Sequence, residues 1–158
     1  MKRFLLIPVL FLATLATVEA AKLKNEIPGI WSVLKVETTD QNLNAMFKDS
    51  DFSKLLVEFT KTGTVLILGK DTETKYRVEG NKVVLSGGMI KDMPKAEVKA
   101  SIKSDNLTLN LPADLVKQIL LTAKDTYVKS GGEVFIAKMI ESIATTYSIE
   151  AVITLKRK

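Results

Sequence analysis

From Ala96 to Lys103 the chain alternates without a break: Ala96, Val98, Ala100 and Ile102 on one side, Glu97, Lys99, Ser101 and Lys103 on the other. A period of two places alternate side chains on opposite faces of an extended strand, one face buried and one wet. Asn106 to Leu111 repeats the pattern through Leu107, Leu109 and Leu111, with Ser104-Asp105 as the turn between them. The same unit recurs earlier. Lys54 to Thr60 and Thr64 to Leu68 flank Lys61-Thr62-Gly63, and Thr74 to Val78 and Lys82 to Ser86 flank Glu79-Gly80-Asn81. Two β-prone runs separated by a few residues that include a glycine predict a hairpin. Ile30 to Glu37 is expected as the first strand and Ser148 to Lys156 as the last, the latter with Ile149, Ala151, Ile153 and Leu155 on one face.

Two stretches break this rhythm. Thr38 to Ser53 is polar and rich in Asn and Asp, with room for one short helix around Leu43 to Phe47. Within it Asp49 and Asp51 read as a solvated turn, with Asp51 or Ser50 as a helix cap. The other stretch changes period. Pro112-Ala113-Asp114 suits a helix start, and Leu115, Ile119, Leu120, Ala123 and Tyr127 follow at helical spacing. Gly131-Gly132 breaks that helix, and Phe135, Ile136, Met139, Ile140, Ile143 and Tyr147 mark a second. A helical hairpin is therefore expected over 113–147. Gly87-Gly88 ends the second β-hairpin, and Met89 to Lys95 reads as a loop.

The fold expected is mainly β (α+β): an antiparallel meander of about eight strands, with the helical hairpin before the last. A sheet with one apolar face must cover it or curl upon itself. Closure into a barrel also removes exposed edges. A barrel of about eight strands encloses a space just wide enough for side chains or one small ligand.

The N-terminus carries an address. Met1-Lys2-Arg3 precedes an apolar run from Phe4 to Leu12, and Ala13 to Ala20 ends in Val18-Glu19-Ala20. A positive start, an apolar middle and a small-x-small ending are the order of a secretory signal. The apolar run is shorter than the about 20 residues that span a bilayer. Residues 1–20 are thus expected to be removed, leaving 21–158 as a single domain with no membrane anchor, exported to a periplasmic or extracellular destination. The whole chain has a net charge of +5; loss of Lys2, Arg3 and Glu19 leaves +4. Aromatic residues are few and not interleaved with basic ones, so nucleic acid is not expected as a partner.

The chain has no histidine and no cysteine. The commonest general base and the imidazole and thiolate metal ligands are missing, as is the thiolate nucleophile. Ser-His-Asp and Cys-His acyl transfer are excluded. Neither Gly-Gly pair has the Gly-Lys-Ser/Thr ending of a phosphate loop. Catalysis is not expected, nor a metal or organic cofactor. Binding is the better expectation. Met89, Ile90 and Met93 form a soft, adaptable cluster suited to the lip of a cavity, and Leu120, Phe135 and Met139 of the helical hairpin are candidate ligand or lid contacts.

Gly29-Ile30-Trp31 at the start of the first strand resembles the Gly-x-Trp signature of lipocalins and related calycin barrels. The runs Val57 to Thr64, Tyr76 to Leu85 and Asp105 to Leu109 are similar to lipocalin-like domains of secreted bacterial proteins. The resemblance implies a closed barrel with Trp31 packed across its base, under a basic residue from the last strand: Arg157 or Lys156 by position. It also implies a small apolar or amphipathic ligand, in an apolar cavity of about 300 Å³ or more. The alternative is an envelope interaction or inhibitor module that docks a protein partner through the helical hairpin.

Overall fold

The computed structural model describes residues 21–90 and 92–158. Residues 1–20, where the signal peptide is expected, lie outside them. The chain runs β1 (Gly29–Thr38), α1 (Gln41–Phe47), β2 (Leu56–Phe59), β3 (Thr64–Ile67), β4 (Lys70–Glu79), β5 (Lys82–Gly87), β6 (Ala96–Lys103) and β7 (Asn106–Leu111). The helices α2 (Ala113–Lys129) and α3 (Val134–Thr146) follow, then β8 (Ala151–Arg157). Each strand pairs antiparallel with the next, and β8 closes on β1, giving a barrel of eight strands with the helical hairpin before the last.

Alternation sets what faces inward. Ala96, Val98 and Ala100 of β6 are buried, while Glu97, Lys99, Ser101 and Lys103 stand exposed on the outer wall. Trp31 and Val33 of β1, Val83 of β5 and Leu155 of β8 join the same core. The seam between β1 and β8 runs from Trp31↔Arg157 to Thr38↔Ala151, with a bulge at Leu34 that turns this side chain outward. No helix among the described residues is long and apolar enough to cross a membrane.

The two ends of the barrel are closed differently. At the end where β1 begins, residues 21–26 form a helix whose buried Leu23, with Ile27 just beyond it, plugs the opening. At the other end α2 lies across the mouth through Leu115 and Val116, both buried. Beside it sits a 3₁₀ turn, Gly88–Ile90, that buries Ile90. Gly88 has φ +47, and a Cβ there would fall 2.3 Å from the Thr72 carbonyl oxygen, so only glycine lets the turn lie this close to β4. α3 packs on α2 through Ala137 and Ala144, small residues that let the two helices approach. The cap of α1 is Asp40, which accepts from the Leu43 amide at 2.9 Å, rather than Ser50 or Asp51. Asp51 instead accepts from the Ser53 amide at 2.9 Å and shapes the following turn.

Candidate functional site: the barrel interior

The inward-facing side chains do not fill the barrel. A cavity of about 260 Å³ remains, walled by Val33, Val57, Phe59, Val65, Val83 and Val98 from the strands and by Leu115 and Ile119 from α2. It is a little smaller than the about 300 Å³ expected of a drug-sized site. It is well above the about 150 Å³ that stays dry and takes up benzene in an apolar interior. Among the described residues the lining is apolar except for Thr74. Its hydroxyl oxygen already accepts from the Met89 amide at 3.1 Å. The cavity therefore offers dispersion and shape, with no charged side chain among the described residues of its wall and little unspent hydrogen bonding.

The base of the site is fixed by Trp31, which is fully buried. Its indole N–H donates to the Ile27 carbonyl at 2.9 Å, satisfying the one polar group of the ring. The guanidinium of Arg157 lies 4.3 Å from the ring centroid and also donates to the Glu26 carbonyl. It thus ties the last strand to the N-terminal plug across both a π-face and a backbone acceptor. Gly29 makes room for this: its φ is +144, and a Cβ would meet Arg157 Nη1 at 3.0 Å. Of the two basic residues expected by position, Arg157 takes the place over the ring.

Of the six candidate ligand or lid contacts, Met89 lines the cavity. Ile90 is buried in the core beside it, while Met93 and Leu120 are half-buried and pack against that core. Phe135 and Met139 stand exposed on α3. The residues that build most of the wall are strand valines and leucines. Their only signal in the sequence is alternation, which marks them as core and cannot say whether the core is full. The plug over residues 21–26 was also missed; its signal is the i, i+4 pair Leu23 and Ile27.

The wider depression on the outer wall, about 580 Å³, is mixed, with Glu37, Glu97, Lys99, Asn110 and Glu150 beside Leu111, Pro112 and Val152. Lys35 lies 2.6 Å from Glu37, and Lys82 lies 3.1 Å from Glu97. The hydrogen bond from Lys82, with the charges of Lys82 and Lys95, holds the Glu97 carboxyl below its ordinary range. That is the wrong direction for a general acid, which needs its proton at neutral pH. Among the described residues no three acidic side chains gather as a metal site would require. In comparisons with known proteins no family model matches the chain, and neither a curated protein nor a solved structure matches it.

Proposed function

We propose that the chain is an exported, non-catalytic, lipocalin-like binding protein that holds one small apolar or amphipathic molecule inside its barrel. The observation that carries this reading is the apolar cavity of about 260 Å³. Scaled from the about 150 Å³ that takes up benzene, it suits a ligand whose enclosed part has about ten heavy atoms. That enclosed part is uncharged, because an ion there would lose its hydration with no partner among the described residues of the wall. Export rests on the order of residues 1–20. The absence of histidine and cysteine throughout the sequence favours binding over catalysis.

The test is native mass spectrometry of the mature domain purified from its own host, followed by titration with naphthalene. A stoichiometric small molecule that leaves on denaturation, or saturable uptake of naphthalene, supports the reading. A domain that arrives bare and takes up no naphthalene overturns it. A second reading, protein docking through the helical hairpin, is favoured by Phe135, which is 76% exposed next to exposed Val134 and Met139. Crosslinking in the host from a photoreactive residue at position 135 tests it, and a failure to capture any partner counts against it.

A further inference from the structure

The entry route can be read from the same cavity, on the premise that the interior is the ligand site. Leu55, in the approach to β2, lines the cavity and is at the same time 37% exposed. It therefore touches both the interior and solvent. The turn between β3 and β4 lies beside it, because the Leu68 amide donates to the Leu56 carbonyl at 2.9 Å. Leu68 is 58% exposed and has φ 51, and Gly69 follows at φ 74. Two successive positive φ angles make the hairpin turn that favours Asn-Gly. A leucine there brings its Cβ against the following carbonyl oxygen. It also exposes an apolar side chain that the turn does not need. Neither turn chemistry nor core packing explains Leu68, whereas a place beside the cavity opening does.

Besides the burial of Leu115, Val116 and Ile90, a short hydrogen-bonded relay holds the cover of this end. Met89 and Ile119 line the cavity from the 3₁₀ turn and from α2. Three residues after Ile119, the Thr122 hydroxyl donates to the Met89 carbonyl at 3.1 Å. The Met89 amide in turn donates to Thr74 Oγ1 at 3.1 Å. In polar terms the helix is joined to the turn, and the turn to the barrel wall, by single neutral hydrogen bonds laid over the apolar packing. Such a bond contributes modestly to stability because water replaces it on opening. That suits a closure that is favoured but reversible.

We propose that Leu55 and Leu68 form the entry lip of the cavity, and that the Thr122–Met89 hydrogen bond is the latch holding α2 closed over it. The lip lets an uncharged apolar molecule shed water against leucine before the cover admits it, and the latch sets how often the cover opens.

The experiment is stopped-flow exchange of naphthalene with the mature domain, comparing wild type with Leu68→Asn and Thr122→Val. Asparagine accepts the positive φ, so Leu68→Asn folds with its hairpin intact; it is expected to slow uptake and release several-fold while leaving the equilibrium affinity unchanged. Thr122→Val keeps the shape and removes the donor, and is expected to speed both rates several-fold. Wild-type uptake with both variants exchanging at the wild-type rate overturns the lip and the latch and leaves the ligand site standing. A wild type that takes up no naphthalene overturns the ligand site and this inference together.

Discussion

If the interior is open as described, partly filling it must stabilise the protein and weaken binding at once. Each cubic ångström of apolar cavity forgoes about 24 cal/mol, so an empty 260 Å³ corresponds to about 6 kcal/mol of forgone stability. That is comparable to the whole net stability of a small domain, about 5–15 kcal/mol. Val33 and Val98 are buried, line the cavity and belong to strands that are not neighbours in the barrel. Val33→Ile and Val98→Ile each add one methylene, worth about 0.8 kcal/mol on burial. On separated strands the two effects add, giving about 1.6 kcal/mol. With a urea slope of about 1.5 kcal/mol/M, the midpoint of the double variant rises by about 1 M. The chain has one tryptophan, Trp31, and it is fully buried, so its fluorescence follows unfolding directly. Naphthalene affinity should fall in the same variant, because the added methylenes occupy the space the probe needs. Refutation is equally plain: a double variant destabilised by about 1–3 kcal/mol is the signature of overpacking and means the interior has no room.

Three further outcomes follow from contacts already described. Arg157→Met keeps an apolar stem over Trp31 but removes the charge and the bond to the Glu26 carbonyl; a loss of about 2–3 kcal/mol is expected in urea melts, with Arg157→Lys only partly restoring it. Gly88→Ala places a methyl against backbone atoms of Thr72 and Thr74 at a positive φ. It should cost about 2–4 kcal/mol and expose Met89 to limited oxidation, read by mass spectrometry. The Tyr76 hydroxyl donates to the Thr60 carbonyl at 2.6 Å, and burial raises the pKa of this phenol. A folded pKa above the unfolded value of about 10 means the contribution is complete below about pH 10 and is lost as pH rises through the folded value. Tyr76→Phe should therefore be less stable by about 1 kcal/mol at neutral pH, with the gap to wild type closing in alkali.

The barrel was legible in the sequence wherever one face is buried and the other wet. Ala96 to Lys103 and Asn106 to Leu111 were bounded to the residue, because alternation begins and ends at turn residues there. Elsewhere the bounds moved. β4 begins at Lys70 rather than Thr74, since its first residues carry polar side chains and a register shift separates the pairing of Lys70 and Asp71 from that of Thr74 and Lys75. β8 begins at Ala151 rather than Ser148, although Ile149 is buried: the apolar face starts before the ladder does. The place of Trp31 at the base was signalled by Gly29-Ile30-Trp31, a short motif with a geometric reason behind its glycine. The cavity had no such signal. Whether facing valines meet or leave a gap depends on barrel radius and on where α2 lies, and neither is written in residue periodicity. The second helix illustrates the same limit. Phe135 and Met139 belong to its apolar stripe in the sequence, yet the side packed on α2 is that of Ala137 and Ala144, because close approach selects small residues over large ones.

The seam between β1 and β8 has a kinetic consequence. Arg157 reaches back to Glu26 across 131 positions of the chain. Closing a loop of that length costs about 4 kcal/mol of chain entropy before any contact compensates it. The hairpins β2–β3, β3–β4, β4–β5 and β6–β7 close loops of a few residues, so they form first and the seam last. Until β8 is synthesised, β1 has an open edge where β8 will lie, and an open edge invites another chain. The hazard for this fold therefore lies in the interval before β8 arrives: a chain without that strand is a curled sheet with two bare sides.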